Sequence, residues 1–143
     1  MKIAIACDHG GYQLKEEVKA YLLEREIEVL DLGTNSEASV DYPEYGFKCG
    51  EAVANGDADR GIVVCGTGIG ISIAANKVKG VRCSLCTDVT QAKLTRQHND
   101  SNVLALGGRT TGVVTAMDIV AAWLDTEFEG GRHQRRVDLL NNY

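Results

Sequence analysis

Between Gly61 and Lys77 the chain reads GIVVCGTGIGISIAANK, and the residue in it with most chemistry is Cys65. A thiolate is a base or a nucleophile. Cys65 closes the apolar run Ile62-Val63-Val64 and is followed by Gly66, Thr67, Gly68 and Gly70, after which Ile71 to Lys77 reads as a helix. A glycine turn entering a helix leaves backbone N–H groups free, and the helix N-terminus adds partial positive charge. A thiol in such a place ionises more easily than a free one. The segment therefore offers a base or nucleophile beside an oxyanion hole. A cysteine taken at random is more often a buried structural thiol; the position of Cys65, at a strand end before a glycine turn, favours the functional reading. A phosphatase-type nucleophile needs an arginine at the end of its phosphate loop, and Gly70-Ile71-Ser72-Ile73 has none. The glycines also resemble part of a dinucleotide fingerprint, with Asp88 near the place of the ribose-binding acid. That fingerprint is incomplete, and the chain leaves no room for a separate substrate domain.

The remaining reactive side chains are weaker signals. Cys83-Ser84-Leu85-Cys86 falls inside an expected strand, where positions three apart face opposite ways. A redox pair would sit at a helix N-terminus, and a zinc site would need two more ligands. These two, with Cys7 and Cys49, read as reduced core thiols. His9 follows the first strand and gains from that place. His98 closes a helix just before the fifth strand, at the sheet edge where ligands do not normally bind. Arg132 and Arg136 flank His133 and lie four apart on one helical face, which makes either a two-pronged anion clamp or a solvated basic end. No convincing set of metal ligands is evident, and no cofactor is called for.

These residues need a frame, and the hydrophobic pattern supplies one. Strands are expected at Met1–Cys7, Ile27–Leu32, Gly61–Cys65, Val81–Thr87 and Asn102–Leu106. Helices are expected at Tyr12–Arg25, from Pro43 to about Asn55, and over Ile71–Lys77, Asp88–Gln97, Thr110–Leu124 and Arg132–Leu140. Leu14, Val18, Tyr21 and Leu22 make the apolar face of the first helix; Val113, Met117, Val120 and Trp123 or Leu124 that of the fifth. Strands alternating with helices imply right-handed βαβ units and a parallel sheet covered on both faces. In such sheets ligands bind at the C-terminal strand edges. That edge would hold Asp8-His9-Gly10-Gly11, Cys65 to Gly70, Asp88 and Gly107-Gly108-Arg109.

Length and composition set the outer bounds. The 143 residues suit a single domain over 1–143, and 44% hydrophobic with 24% charged residues is ordinary for a globular protein. The net charge of -5 argues against nucleic acid as a partner. No apolar run suits a membrane span, and the N-terminus does not read as a signal peptide, so a cytoplasmic location is expected.

Together the motifs form a recognisable pattern: Cys7-Asp-His-Gly-Gly11, Asp41-Tyr42-Pro43, Cys65-Gly-Thr-Gly-Ile-Gly-Ile-Ser-Ile-Ala-Ala-Asn-Lys77, Arg96-Gln-His-Asn-Asp100 and Gly130-Gly-Arg-His133. The chain closely resembles the type B ribose-5-phosphate isomerases, in the family that includes allose-6-phosphate and galactose-6-phosphate isomerases. The resemblance runs nearly end to end. It implies an α/β fold, a three-layer α/β/α sandwich on a five-stranded parallel Rossmann-like sheet. It also implies an aldose–ketose isomerase that needs no metal and acts on phosphorylated sugars, ribose 5-phosphate first. The six-carbon phosphates and a non-catalytic sugar-phosphate or nucleotide-binding module are the alternatives. By resemblance Cys65 is the base, and backbone N–H groups from Gly66 through Gly68 and Gly70 to Ser72 hold the enediolate. Thr67 assists transfer between the two oxygens, and His98 is the ring-opening acid. Asp8 and Asn99 contact sugar hydroxyls, Tyr42 lies near the substrate, and His9, Arg109, Arg132 and Arg136 form the phosphate site. Another branch of the family carries a carboxylate base where Ile71 stands; Ile71 cannot remove a proton, which places this chain in the cysteine branch. Family members form homodimers, sometimes tetramers, with sites shared between chains, which would bring His98 to a neighbour's site.

Overall fold

In the computed structural model, which describes residues 1–143, the apolar runs become five strands: β1 (Lys2–Cys7), β2 (Glu28–Asp31), β3 (Arg60–Cys65), β4 (Cys83–Leu85) and β5 (Val103–Gly107). Between them lie α1 (Tyr12–Glu24), α2 (Tyr42–Ala54), α3 (Ile69–Asn76), α4 (Val89–Asn99), α5 (Val113–Asp125) and, last, α6 (Arg132–Asn141). All pairings are parallel, in the order β2-β1-β3-β5-β4. The direction of winding reverses between β1 and β3, so a crevice opens at their C-terminal ends, after Cys7 and Cys65.

Alternation along the strands builds two cores. Ile3, Ile5, Ile62, Val64, Leu104 and Leu106 pack with Leu14, Val18 and Leu22 of α1 and with Ala116, Ile119, Val120 and Trp123 of α5. Ala4, Ala6, Val63, Cys65 and Ala105 face the other way, toward Cys49 and Ala52 of α2 and Ile71 and Ala75 of α3. This second layer uses small residues because its helices lie close: a Cβ on Gly46 of α2 would come within 2.7 Å of the Ala74 Cβ on α3. The expected three-layer α/β/α sandwich on a parallel sheet is what forms. Cys65 belongs to the α2/α3 side.

Several boundaries differ from expectation. β4 is only Cys83–Leu85, because it is an edge strand paired with β5 alone and its flanks bond elsewhere; the Arg82 N–H donates to Asn102 Oδ1 at 2.7 Å. The C-x-x-C does split between faces, Cys86 entering the first core and Cys83 packing on the second. The apolar stripe of α5 starts later, at Ala116, and Val113 is 47% exposed. α3 begins two residues early, at Ile69.

One buried group is unexpected. Lys15 is fully buried among the apolar residues of α1. Its Nζ donates to Asp31 Oδ1 at 2.9 Å and to the Thr34 carbonyl at 2.7 Å, while Lys19 Nζ bonds the other Asp31 oxygen at 2.9 Å. Burial pushes the Asp31 carboxyl up, but hydrogen bonds from Lys15, Lys19 and the Gly33 N–H outweigh it, and the group sits below its ordinary value. The depressed carboxyl therefore contributes stability that is present above the unfolded carboxylate range and is lost as pH falls through the lower folded value. Asp31→Asn strands a buried ammonium; it should cost about 3 kcal/mol in urea denaturation at neutral pH, and the variant should lose less stability than the parent on acidification.

Candidate active site

Cys65 reaches the crevice because β3 ends there, and its side chain is 5% exposed. The chain then turns through Gly68 at φ 79°, the left-handed region. A side chain on Gly68 would also meet the Leu106 backbone at 2.9 Å. The turn aims the Gly68 N–H at Cys65 Sγ, 3.2 Å away. Burial pushes the Cys7, Cys49 and Cys86 thiols up to about 12, and Cys83 is also raised by burial. Those four are core thiols, as expected.

The hole beside Cys65 is narrower than the sequence suggests. Ser72 donates its N–H to the Gly68 carbonyl at 3.2 Å and its hydroxyl to the Ile69 carbonyl at 2.7 Å. The Ile69 N–H is held by Thr67 Oγ1 at 3.2 Å, and that of Gly68 by sulfur. The N–H groups of Gly66, Thr67, Gly70 and Ile71 carry no hydrogen bond, and these are the donors open to an oxyanion. Ser72 thus supports the turn, and Ile71, whose side chain is buried in the core, adds the backbone donor.

Neighbouring strand ends complete the crevice. Asp8, after β1, is 8% exposed and accepts from the Gly11 N–H at 3.1 Å. His9 Nδ1 accepts from the Val40 N–H at 3.2 Å, so in the neutral ring the proton sits on Nε2. Arg109, after β5, lays its Cδ over Gly66, where an added Cβ would be 3.4 Å away. His9 and Arg109 share a cleft of about 340 Å³ with Gln13, Gly108 and Glu37. Glu37 is bonded to Gln13 at 2.6 Å and its charge opposes an anion there; neither residue was visible as a site candidate in the sequence. Tyr42, at the start of α2, rests its ring on Gly70, where a Cβ would meet Cε1 at 2.7 Å.

The other candidates are not in this crevice. α4 runs back against the strands, so His98 and Asn99 lie at the N-terminal edge, beside the start of β5. That edge is about 13 Å from Cys65 along the strand direction, at roughly 3.3 Å per residue. There α6 packs on α4. His133, 8% exposed, stacks on His98 with ring centroids 4.4 Å apart. Burial, then His98 and Arg132, hold His133 below the usual imidazole range. Arg132 and Arg136 are exposed and make no ion pair. Glu129, unremarked in the sequence, reaches both imidazoles: its Oε1 is 3.5 Å from His133 Nε2 and 4.0 Å from His98 Nε2. The sequence showed no metal-ligand cluster; folding makes one of these three. One chain therefore carries the candidate residues in two groups: thiol, amides, Asp8, His9 and Arg109 at one edge, and His98, Asn99, Arg132 and Arg136 at the other.

A family model described as Ribose/Galactose Isomerase matches residues 3–140. Ribose-5-phosphate isomerase B of Escherichia coli is 53% identical over 139 residues, covering 97% of this chain and 93% of that protein. The solved ribose-5-phosphate isomerase B of Clostridium thermocellum superposes with a TM-score of 0.98 at 55% identity, covering 99% of this chain and 96% of the other. That of Mycoplasma genitalium, solved with bound ribulose-5-phosphate, gives a TM-score of 0.94 at 44% identity, covering 99% and 95%. The chain belongs to the ribose/galactose isomerase family, the family of the type B ribose-5-phosphate isomerases.

Proposed function

We propose that the protein interconverts ribose 5-phosphate and ribulose 5-phosphate, with Cys65 as the base, and that a second copy of the chain completes each site. The observation that carries this is Cys65 Sγ held at 3.2 Å from the Gly68 N–H, beside the open N–H groups of Gly66, Thr67, Gly70 and Ile71. The carbon-2 proton of an open-chain aldose is weakly acidic, and its removal leaves an enediolate. Preorganised donors aimed at that charge do most to lower the barrier of such a reaction, and a positioned base lowers it further. Cys65 takes the proton from carbon-2 and returns it to carbon-1. The Thr67 hydroxyl moves the second proton between the two oxygens. No Lewis acid is required, because the backbone donors carry the charge. A chelator should therefore leave turnover intact in an assay of ribulose 5-phosphate formation, and ribose 5-phosphate should be used faster than allose 6-phosphate. Loss of turnover on chelation, or faster use of allose 6-phosphate, would reject this reading.

The second copy is supported by what one chain leaves unfinished. The Cys65 half commits its imidazole, His9, to the phosphate and so lacks a second one for opening the sugar ring, and the His98 half lacks the thiol and its open amides. Tyr42, Phe47, Ile69 and Ile73, on α2 and α3 beside the Cys65 loop, are each 39% exposed or more. Such an apolar face is suited to self-association. In the assembled site His98 of one copy protonates the ring oxygen while Asp8 and Asn99 hold hydroxyls. The phosphate lies among His9, Arg109, and Arg132 and Arg136 of the other copy. The phosphate is remote from the reacting carbons, so its contacts hold the open chain in geometry. Arg136→Ala should raise KM about ten- to a hundredfold, the worth of a charge-assisted contact, with a smaller change in kcat. An unchanged KM would remove Arg136 from the phosphate site.

A further inference from the structure

We propose that His98, Glu129 and His133 form a binding site for a divalent cation of the zinc class, and that its occupation switches the isomerase off by withdrawing His98. The cation site stands on geometry alone; the switching rests on the proposed role of His98 as ring-opening acid.

Two imidazoles and one carboxylate are a zinc-type donor set. Their ligand atoms lie within 4.8 Å of one another. Both Nε2 atoms face the same Glu129 oxygen, at 3.5 and 4.0 Å, and neither ring makes a hydrogen bond. Zinc bonds of about 2.0–2.1 Å put tetrahedral ligands about 3.4 Å apart, so closure draws the ligand atoms together by up to about 1.4 Å and tilts one of the stacked rings, 15° from parallel, so that both Nε2 lone pairs meet one ion. The side chains that must shift are free to do so: those of His98 and Glu129 are 39% and 51% exposed, while that of His133 is 11% exposed and held by its helix.

The backbone fixes the trio more firmly than a chance encounter would. The Glu129 N–H donates to the Gln97 carbonyl at 3.1 Å, tying it to the residue before His98. The chain then turns through Gly130 and Gly131, at φ 66° and 56°, where side chains are disfavoured. That turn starts α6 and sets His133 under Glu129, with the His133 N–H on the Gly130 carbonyl at 3.0 Å. Arg132 and Arg136 on the same helix oppose a cation, so affinity should fall below that of a structural zinc site. A metal held by His98 Nε2 removes the atom that would deliver a proton to the sugar.

The rival zinc ligand is the Cys65 thiol, so binding is read first in Cys65→Ala protein. Calorimetric titration with zinc chloride should show one ion per chain in that variant. Cobalt(II) in its place should give a tetrahedral spectrum without a thiolate charge-transfer band. Adding Glu129→Gln should weaken binding about a hundredfold, as expected when a coordinating group is lost. In an otherwise unaltered chain Glu129→Gln should keep its metal-free turnover and resist zinc concentrations that inhibit the parent. Absence of zinc binding in Cys65→Ala protein, or equal binding after Glu129→Gln, overturns the site. Zinc bound at the trio with turnover undiminished overturns the switch and the acid role of His98 together, and leaves the site.

Discussion

Replacing Cys65 by alanine should lower isomerisation by about 10²- to 10⁴-fold, the contribution of a positioned general base, while ribulose 5-phosphate still binds. The two halves of that expectation have different origins. The rate falls because the thiol is the group assigned the carbon-2 proton: Asp8 is engaged by the Gly11 N–H and assigned to a sugar hydroxyl, and Ile71 is apolar with its side chain buried. Binding survives because the phosphate contacts proposed for His9, Arg109, Arg132 and Arg136 do not involve the thiol. The Gly66–Gly70 turn should hold, since its geometry rests on Gly68 and on the Thr67 and Ser72 hydrogen bonds rather than on sulfur alone. Turnover and isothermal titration on one preparation check both halves. A variant retaining a tenth of the parent rate would remove Cys65 as the base.

Mixing two inactive variants should restore activity. Cys65→Ala and His98→Ala chains each damage one half-site, and the halves lie at opposite edges of the sheet within a chain. If a working site takes Cys65 from one copy and His98 from the other, a mixed dimer has one doubly damaged site and one intact site. Random exchange makes half the dimers mixed, so about a quarter of the parent sites should recover, as the symmetry of a two-fold dimer dictates. The recovery should appear only after subunit exchange, by mild denaturation and refolding together. If each chain carried a whole site, no mixture would recover. This is the largest gain expected of any combination, because both parents start near zero.

The sheet was legible because each strand and helix announces itself within a few residues. The placement of Cys65 was legible for the same reason: strand end, glycine turn and helix start occupy one short stretch. What failed depended on distant parts of the chain. β4 is shorter than its apolar run because an edge strand keeps only the residues its single neighbour pairs. The α5 stripe shifts from Val113 to Ala116 because tertiary packing, not spacing, decides which turn meets the sheet. Nothing beside Lys15 in the chain signals its burial; Asp31 and the Thr34 carbonyl, a strand away, explain it. Ser72 lost its place among the oxyanion donors to the helix that forms there, a detail of where α3 begins. Glu129 joins His98 and His133 only through the Gly130-Gly131 turn and the docking of α6 on α4; the glycine pair was the available signal.

Proton transfer by this protein on a five-carbon sugar phosphate is tested most directly by proton NMR of ribose 5-phosphate, with the protein in heavy water containing a chelator. Ribulose 5-phosphate should appear, with deuterium entering carbon-1 of the ketose and carbon-2 of recovered aldose, and Cys65→Ala should abolish both signals. An unchanged sugar, or Cys65→Ala protein that converts it at the parent rate, would contradict proton transfer by Cys65.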